Sequence, residues 1–267
     1  MSNRAGTRGI LHPIATDGRF AFARHAPAPD LAFWIDWYWI VRWDLTGQAP
    51  RVQETIPHPS VNLVIEKGVS GIFGVATRKF TRIIAGAGLV FGIKFRPGAF
   101  RSFTALPVSA LTDSSRTIRE MFGVDDHALE TEVLVVGEDA DMIVVAERFL
   151  RDHLPVKDEN IETVNRISEY VIAHREITRV EEISREFGLN ARALQRLFSR
   201  YVGVSPKWVI RRYRLQEAAE LLSGGNVANS THLALELGYF DQAHFINDFR
   251  SLIGMSPAEY AKRASGG

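Results

Sequence analysis

Arg192, Gln195, Arg196 and Ser199 carry side chains that can hydrogen-bond to the edges of nucleobases. An arginine pairs bidentately with guanine and a glutamine with adenine, so this is a good base-reading set. The four lie in "GLNARALQRLFSRYVGVSP", where Leu194, Leu197 and Phe198 supply an inward apolar face and leave the other face of a helix free. Between Asn190 and Leu215 stand seven basic residues (Arg192, Arg196, Arg200, Lys207, Arg211, Arg212, Arg214) and no acidic one. Such a run is the electrostatic footprint expected around phosphates. The plainer alternative is a solvated helical face.

An internal repeat argues for the first reading. Ile183, Phe187 and Gly188 recur as Leu233, Leu237 and Gly238 at an offset of fifty. Beyond the glycine, Asn190, Leu194, Phe198, Gly203, Ser205 and Pro206 recur as Asp241, Phe245, Phe249, Gly254, Ser256 and Pro257 at an offset of fifty-one, so one residue is inserted in the second turn. Each copy is a short helix, a glycine turn and a second helix entered through an Asn or Asp N-cap. That is the specification of a helix-turn-helix, whose second helix fits a major groove. Ser184 and Ala234, four before the turn glycines, are small enough for the two helices to cross closely.

The second copy has a different surface. Its outward positions are Gln242, Ala243, Ile246 and Asn247, and from Thr231 to Gly254 it sets Arg250 against Glu236, Asp241 and Asp248. Its attraction for phosphate is therefore expected to be weak. His244 stands beside Phe245, where it could meet phosphate or pack between helices. "SPKWVIRRYRLQEAAELLSGG" begins with Ser205 as N-cap and Pro206 at the first helical position, and is long enough to join the copies rigidly.

The rest of the chain must position these elements. It has 267 residues, natural for two domains, with 46% hydrophobic and 24% charged residues, which suits a folded, soluble protein. It contains no cysteine, so disulfides, thiolate zinc sites and a cysteine nucleophile are excluded. That also counts against an alkyl-transfer repair enzyme with a DNA-targeting tail. No apolar run reaches signal-peptide or membrane-span length, so a cytoplasmic protein without a membrane partner is expected. The net charge of +1 names no partner; its distribution does.

Residues 31–97 read as strands, and Phe33, Ile35, Trp37, Trp39 and Val41 alternate as one face for core or interface packing rather than as a ligand cage. Glycines 68, 71, 74, 86, 88 and 92 punctuate these runs at hairpin-like spacing. "DDHALETEVLVVG" and "ADMIVVAERFLRDHL" read as helices entered through aspartates. "LPVKDEN", 154–160, is the linker candidate. His58, Glu66, Lys94 and Arg96 are polar residues in or beside strands; Lys94 and Arg96 could hold a small anionic effector, against the alternative of ordinary strand-edge residues. His58 and Glu66 lack a clustered His-x-His pattern, so no metal is expected. Ser102, Ser109 and Ser168 have no nucleophile-elbow context, and catalysis and a cofactor are not expected.

The tandem pattern, above all "LGYFDQAHFINDFRSLIGMSPAEY", resembles the C-terminal DNA-binding domain of the AraC/XylS family of bacterial transcription regulators. The resemblance implies a seven-helix domain in which a central helix holds two helix-turn-helix units over successive major grooves. By position it places Arg192, Gln195 and Arg196 in the first unit's contact surface and Gln242, Ala243, Ile246 and Asn247 in the second's. Ser199, Arg200, Lys207, Arg211 and Arg250 extend that surface by charge and face. Where Asn247 stands, similar members often carry a basic residue, so the first unit is expected to dominate. "IPHPSVNLVIEKG" and "VFGIKFRPGAF" resemble the sensor region of one branch, which in the wider family is β-rich, often cupin-like, and binds an effector or mediates dimerisation.

The expected architecture is therefore α+β. A β-rich sensor or dimerisation domain with C-terminal helices covers 1–155, and an all-α domain with two helix-turn-helix units joined by a long helix covers 160–264. The expected partners are double-stranded DNA, a small-molecule effector and a second copy of the chain. The competing reading is a helical protein-interaction module, for example for RNA polymerase, in which DNA contact is secondary.

Overall fold

The computed structural model describes residues 19–224 and 230–265. Among them, β-branched and aromatic runs form β1 (Phe20–His25), β2 (Ile35–Leu45), β3 (Arg51–Thr55), β4 (Asn62–Glu66), β5 (Gly71–Phe73), β6 (Phe80–Ile84), β7 (Gly86–Phe95) and β8 (Ser115–Arg116). Six strands make one sheet in the order β1-β2-β7-β4-β5-β8, and β3 pairs with β6 in a separate ribbon.

The tryptophan-rich strand departs from the alternation read in the sequence. Its register against β7 slips between Ile35 and Trp37, which reverses the parity of every later side chain. Tyr38 and Ile40 thus enter the main core, while Trp39, Val41 and Trp43 cover the opposite face with Leu45, Ile84 and Val90. Trp37 joins neither cluster. The Lys94 ammonium stands 3.6 Å and the Arg24 guanidinium 4.7 Å from its ring centroid, so the chain's own cations engage it.

The glycines also divide by role. Gly68 and Gly86 adopt φ of 76° and 58° and make turns, as their spacing suggests. Gly88 and Gly92 instead lie within β7, beneath the indoles of Trp43 and Trp39; a Cβ at Gly92 would stand 1.9 Å from Trp39 Cε2. Trp39 Nε1 then donates to Asn62 Oδ1 at 3.2 Å, tying β2 to β4 across β7.

Three helices, α1 (Ile118–Phe122), α2 (Asp126–Val135) and α3 (Asp139–Asp152), follow the sheet. Asp125 caps α2, accepting from the backbone of His127 and Ala128. At α3 the expected aspartate cap is absent: Asp139 instead accepts from Arg42 at 2.5 Å and bonds His25 at 2.7 Å, clamping the helix to β1 and β2. Glu147 adds bonds from Ala28 N at 2.8 Å and Tyr38 Oη at 3.3 Å.

After an irregular stretch at 154–158 come α4 (Glu159–Ala173), α5 (Val180–Glu186), α6 (Ala191–Tyr201), α7 (Pro206–Ser223), α8 (Ser230–Glu236), α9 (Gln242–Ile253) and α10 (Pro257–Ser265). The apolar core does not stop at that stretch. One buried cluster runs from Leu31 through Phe95 and Phe149 to Val164, Phe198 and Ile210. A second, built on α7 to α10, takes in Ile56 from the β-rich half. Polar bonds follow the same path: Thr112 Oγ1 donates to Gly203 O at 2.7 Å, and Tyr201 Oη to Asp158 Oδ2 at 2.6 Å.

Gly92→Ala should lower stability by about 1–3 kcal/mol, because the methyl group must displace the Trp39 indole. Urea denaturation measures it, and an unchanged midpoint would show that Trp39 can move aside without loss.

Candidate nucleic-acid interface

The repeat is realised in the caps and turn glycines of both copies. Turn glycines Gly188 and Gly238 have φ of 64° and 68°, and Gly203 and Gly254, which end the second helices, have 94° and 87°. Asn190 caps α6 by accepting from Ala193 N at 2.8 Å, and Asp241 caps α9 by accepting from His244 N at 2.7 Å. Ser205 caps α7 through Trp208 N at 3.1 Å, and Ser256 exchanges bonds with Glu259 at the head of α10. Two units, α5 with α6 and α8 with α9, flank the 18-residue α7.

In the first unit, Leu194 and Phe198 are fully buried, which turns Arg192, Gln195, Arg196 and Arg200 to solvent, with Ser199 half-buried beside them. Lys207, at the head of α7, is exposed too. The basic run read in the sequence divides at this point. Arg212 is 0% exposed, Arg214 is half-buried with its guanidinium 4.4 Å over the Tyr239 ring, and Arg211 pairs with Asp248 at 3.2 Å. Those three hold α7 in place. Arg192, Arg196, Arg200 and Lys207 supply the outward charge. The sequence signal for this was the position of 211–214 inside the joining helix, which must be covered on several sides.

The second unit shows Ala243, Asn247 and Arg250 to solvent, with Gln242 and Ile246 half-buried. Its carboxylates oppose phosphate less than their number suggests. Asp248 is enclosed by Arg211 and the Tyr239 hydroxyl at 3.3 Å, and Asp241 is engaged as a cap. His244 meets Tyr239 edge-on at 5.3 Å and lies 3.7 Å from Asp248, with most of its side chain in solvent. One residue escaped the sequence reading: Phe240, directly before the α9 cap, is 94% exposed.

The four effector candidates do not converge. Glu66 is buried and doubly bonded by Arg82, and Arg96 pairs with Glu169 of α4 at 3.0 Å. Lys94 and His58 do share a neighbourhood, together with Arg24 and Arg212. Lys94 ion-pairs with Asp36 at 3.1 Å. Burial first, then Arg212 and Arg24, push its pKa down to about 8 against the pull of Asp36. Arg212 donates to Pro57 O at 2.7 Å, to Gln216 Oε1, and to the His58 ring at 3.2 Å. Burial above all, then the charges of Arg212, Lys94 and Arg24, holds the His58 imidazole well below its ordinary pKa. A neutral imidazole is what Arg212 needs as an acceptor.

Comparison with known proteins matches two separate segments of the chain. Residues 183–263 match a family described as a helix-turn-helix domain, and residues 23–117 match a domain of unknown function designated DUF6597. An uncharacterized HTH-type transcriptional regulator of Haemophilus influenzae is 37% identical over 26% of this chain and 23% of its own length. The XylDLEGF operon transcriptional activator 1 of Pseudomonas putida is 32% identical over 28% of this chain and 23% of its own. The matched segment thus spans about a quarter of these curated relatives. A solved structure of a probable AraC family transcriptional regulator from Rhodopseudomonas palustris is 33% identical, covering 37% of this chain and 93% of that one, with a TM-score of 0.34.

Stability should fall on acidification through position 58. Below about pH 6.5 the unfolded chain takes up a proton there that the folded chain resists, so the contribution is complete above that pH and is lost as pH drops toward the lower folded value. The gap in denaturation midpoint between wild type and His58→Gln should narrow from about pH 8 to about pH 5. A gap equal at both would contradict a neutral His58.

Proposed function

Because the chain belongs to the AraC/XylS family through its C-terminal domain, we propose that it is a sequence-specific, DNA-binding transcription regulator. The observation that carries this is the outward stripe of Arg192, Gln195, Arg196 and Ser199 on α6, flanked by Arg200 and Lys207. Among the described ion pairs none engages these cations, whereas the neighbouring Arg211 is taken up by Asp248. Cations left to water beside base-reading groups suit phosphates flanking a major groove.

In this reading residues 160–264 bind DNA, and residues 1–155 sense a small effector. His58, hydrogen-bonded to Arg212 of α7, with Lys94 in the same charged neighbourhood, supports an effector route from the sheet to the DNA-binding helices. No helix among the described residues is long and apolar enough to cross a membrane.

Selection from a library of genomic promoter fragments at physiological salt tests the function; enrichment of no fragment, with only salt-labile general binding, sinks it. On an enriched fragment, Arg196→Ala should weaken binding by about 1–3 kcal/mol and relax one base position, and Arg250→Ala should cost less. Equal losses would contradict the dominance of the first unit.

A further inference from the structure

Matched positions of the two units carry different chemistry. The offset of fifty-one sets Arg192, Gln195, Arg196 and Ser199 against Ala243, Ile246, Asn247 and Arg250. Burial of Phe245, Phe249, Leu252 and Ile253 turns Ala243, Asn247 and Arg250 outward and leaves Ile246 half-buried, packed against that cluster with its remaining surface on the same face, as burial of Leu194 and Phe198 orients the first stripe. On α6 the stripe is rich in donors. On α9 its first two positions are apolar.

The turn adds a third apolar group. Leu189 N bonds Ser184 O at 3.0 Å and Tyr239 N bonds Ala234 O at 2.9 Å, so Leu189 and Tyr239 are equivalent. Asn190 and Asp241 are equivalent as caps. The inserted residue is therefore Phe240, which has no counterpart in the first unit. Leu189 is half-buried and Tyr239 buried, yet the Phe240 ring is left almost wholly in water by its own fold. It stands at the N-terminal end of α9, the end of a recognition helix that meets base edges.

Thymine is the one base that presents an apolar group, its C5 methyl, in the major groove. We infer that the second unit reads thymine methyl groups through Phe240, Ala243 and Ile246, with Asn247 pairing to adenine and Arg250 reaching phosphate. The site on DNA then has two unlike boxes, a guanine-bearing one under α6 and an A·T one under α9. This rests on the DNA-binding function proposed above and specifies its substrate. It also explains how a unit with little free positive charge contributes: apolar contact and amide pairing do not need it.

The test uses the full chain and a site selected from random duplex DNA. The chain has no cysteine, so Ser251→Cys, exposed on α9, takes a tethered DNA-cleaving reagent at one place and maps that helix's box. Each thymine is then replaced in turn by deoxyuridine, which removes only the methyl group. The expected result is a loss of about fourfold per contacted methyl, confined to the α9 box. The Phe240→Ala, Ile246→Ala double variant should become indifferent to that replacement, while keeping its helix content and its preference in the α6 box. Two results overturn the inference alone: a selected site indifferent to uracil, as a protein-binding role for Phe240 predicts, or uracil sensitivity that persists in the double variant. A selection that enriches no site overturns the regulator reading and this inference with it.

Discussion

A guanidinium excluded from water must have its N–H groups met by acceptors or the chain cannot close around it. Arg212 sets that condition here, with bonds to a backbone carbonyl, an amide and an imidazole. Two of the three come from the Pro57–His58 loop of the β-rich half, so the burial of α7 and the placement of that loop are one event. Ile56, next in the chain, accordingly enters the apolar cluster of the second unit. The imidazole must stay neutral to accept, which is why the surrounding charges and the burial of His58 act in one direction.

With α7 fixed, the two units follow from one backbone programme used twice. A left-handed glycine turns the chain, an Asn or Asp caps the second helix, and a further glycine and serine cap hand over to the next helix. None of these devices constrains the outward stripe, so the copies were free to diverge there. The first kept long donors in water. The second engaged Asp248 with Arg211 and Asp241 at its own cap, and left one arginine, an amide and apolar groups on its outer face.

The helix-turn-helix repeat was legible because capping and turn residues act locally, within three or four positions of the bonds they make. The charge run was legible as a count and misleading as a surface: Arg211, Arg212 and Arg214 look like Arg192 and Arg196 in sequence, and only contacts with Asp248, the Pro57–His58 loop and Tyr239 separate them. The strand face was misread for a related reason. A bulge at Ile35/Trp37 changes parity without marking itself by a glycine or proline, and Gly88 and Gly92 serve as seats for indoles that lie some fifty residues away in the chain. Phe240 was hidden by the repeat itself, since aligning the copies treats an inserted residue as spacing.

Helix α7 contributes to both apolar clusters, Val209 and Ile210 to one and Leu215, Ala218 and Leu222 to the other, and it runs unbroken for 18 residues. At 1.5 Å per residue it is a strut of about 27 Å, shorter than the roughly 34 Å of one DNA turn. A strut embedded at both ends cannot stretch or swivel to follow a changed target. On the DNA-binding reading proposed above, such a protein would acquire new binding sites by exchanging outward side chains, while the interval between its two boxes would be inherited with its core.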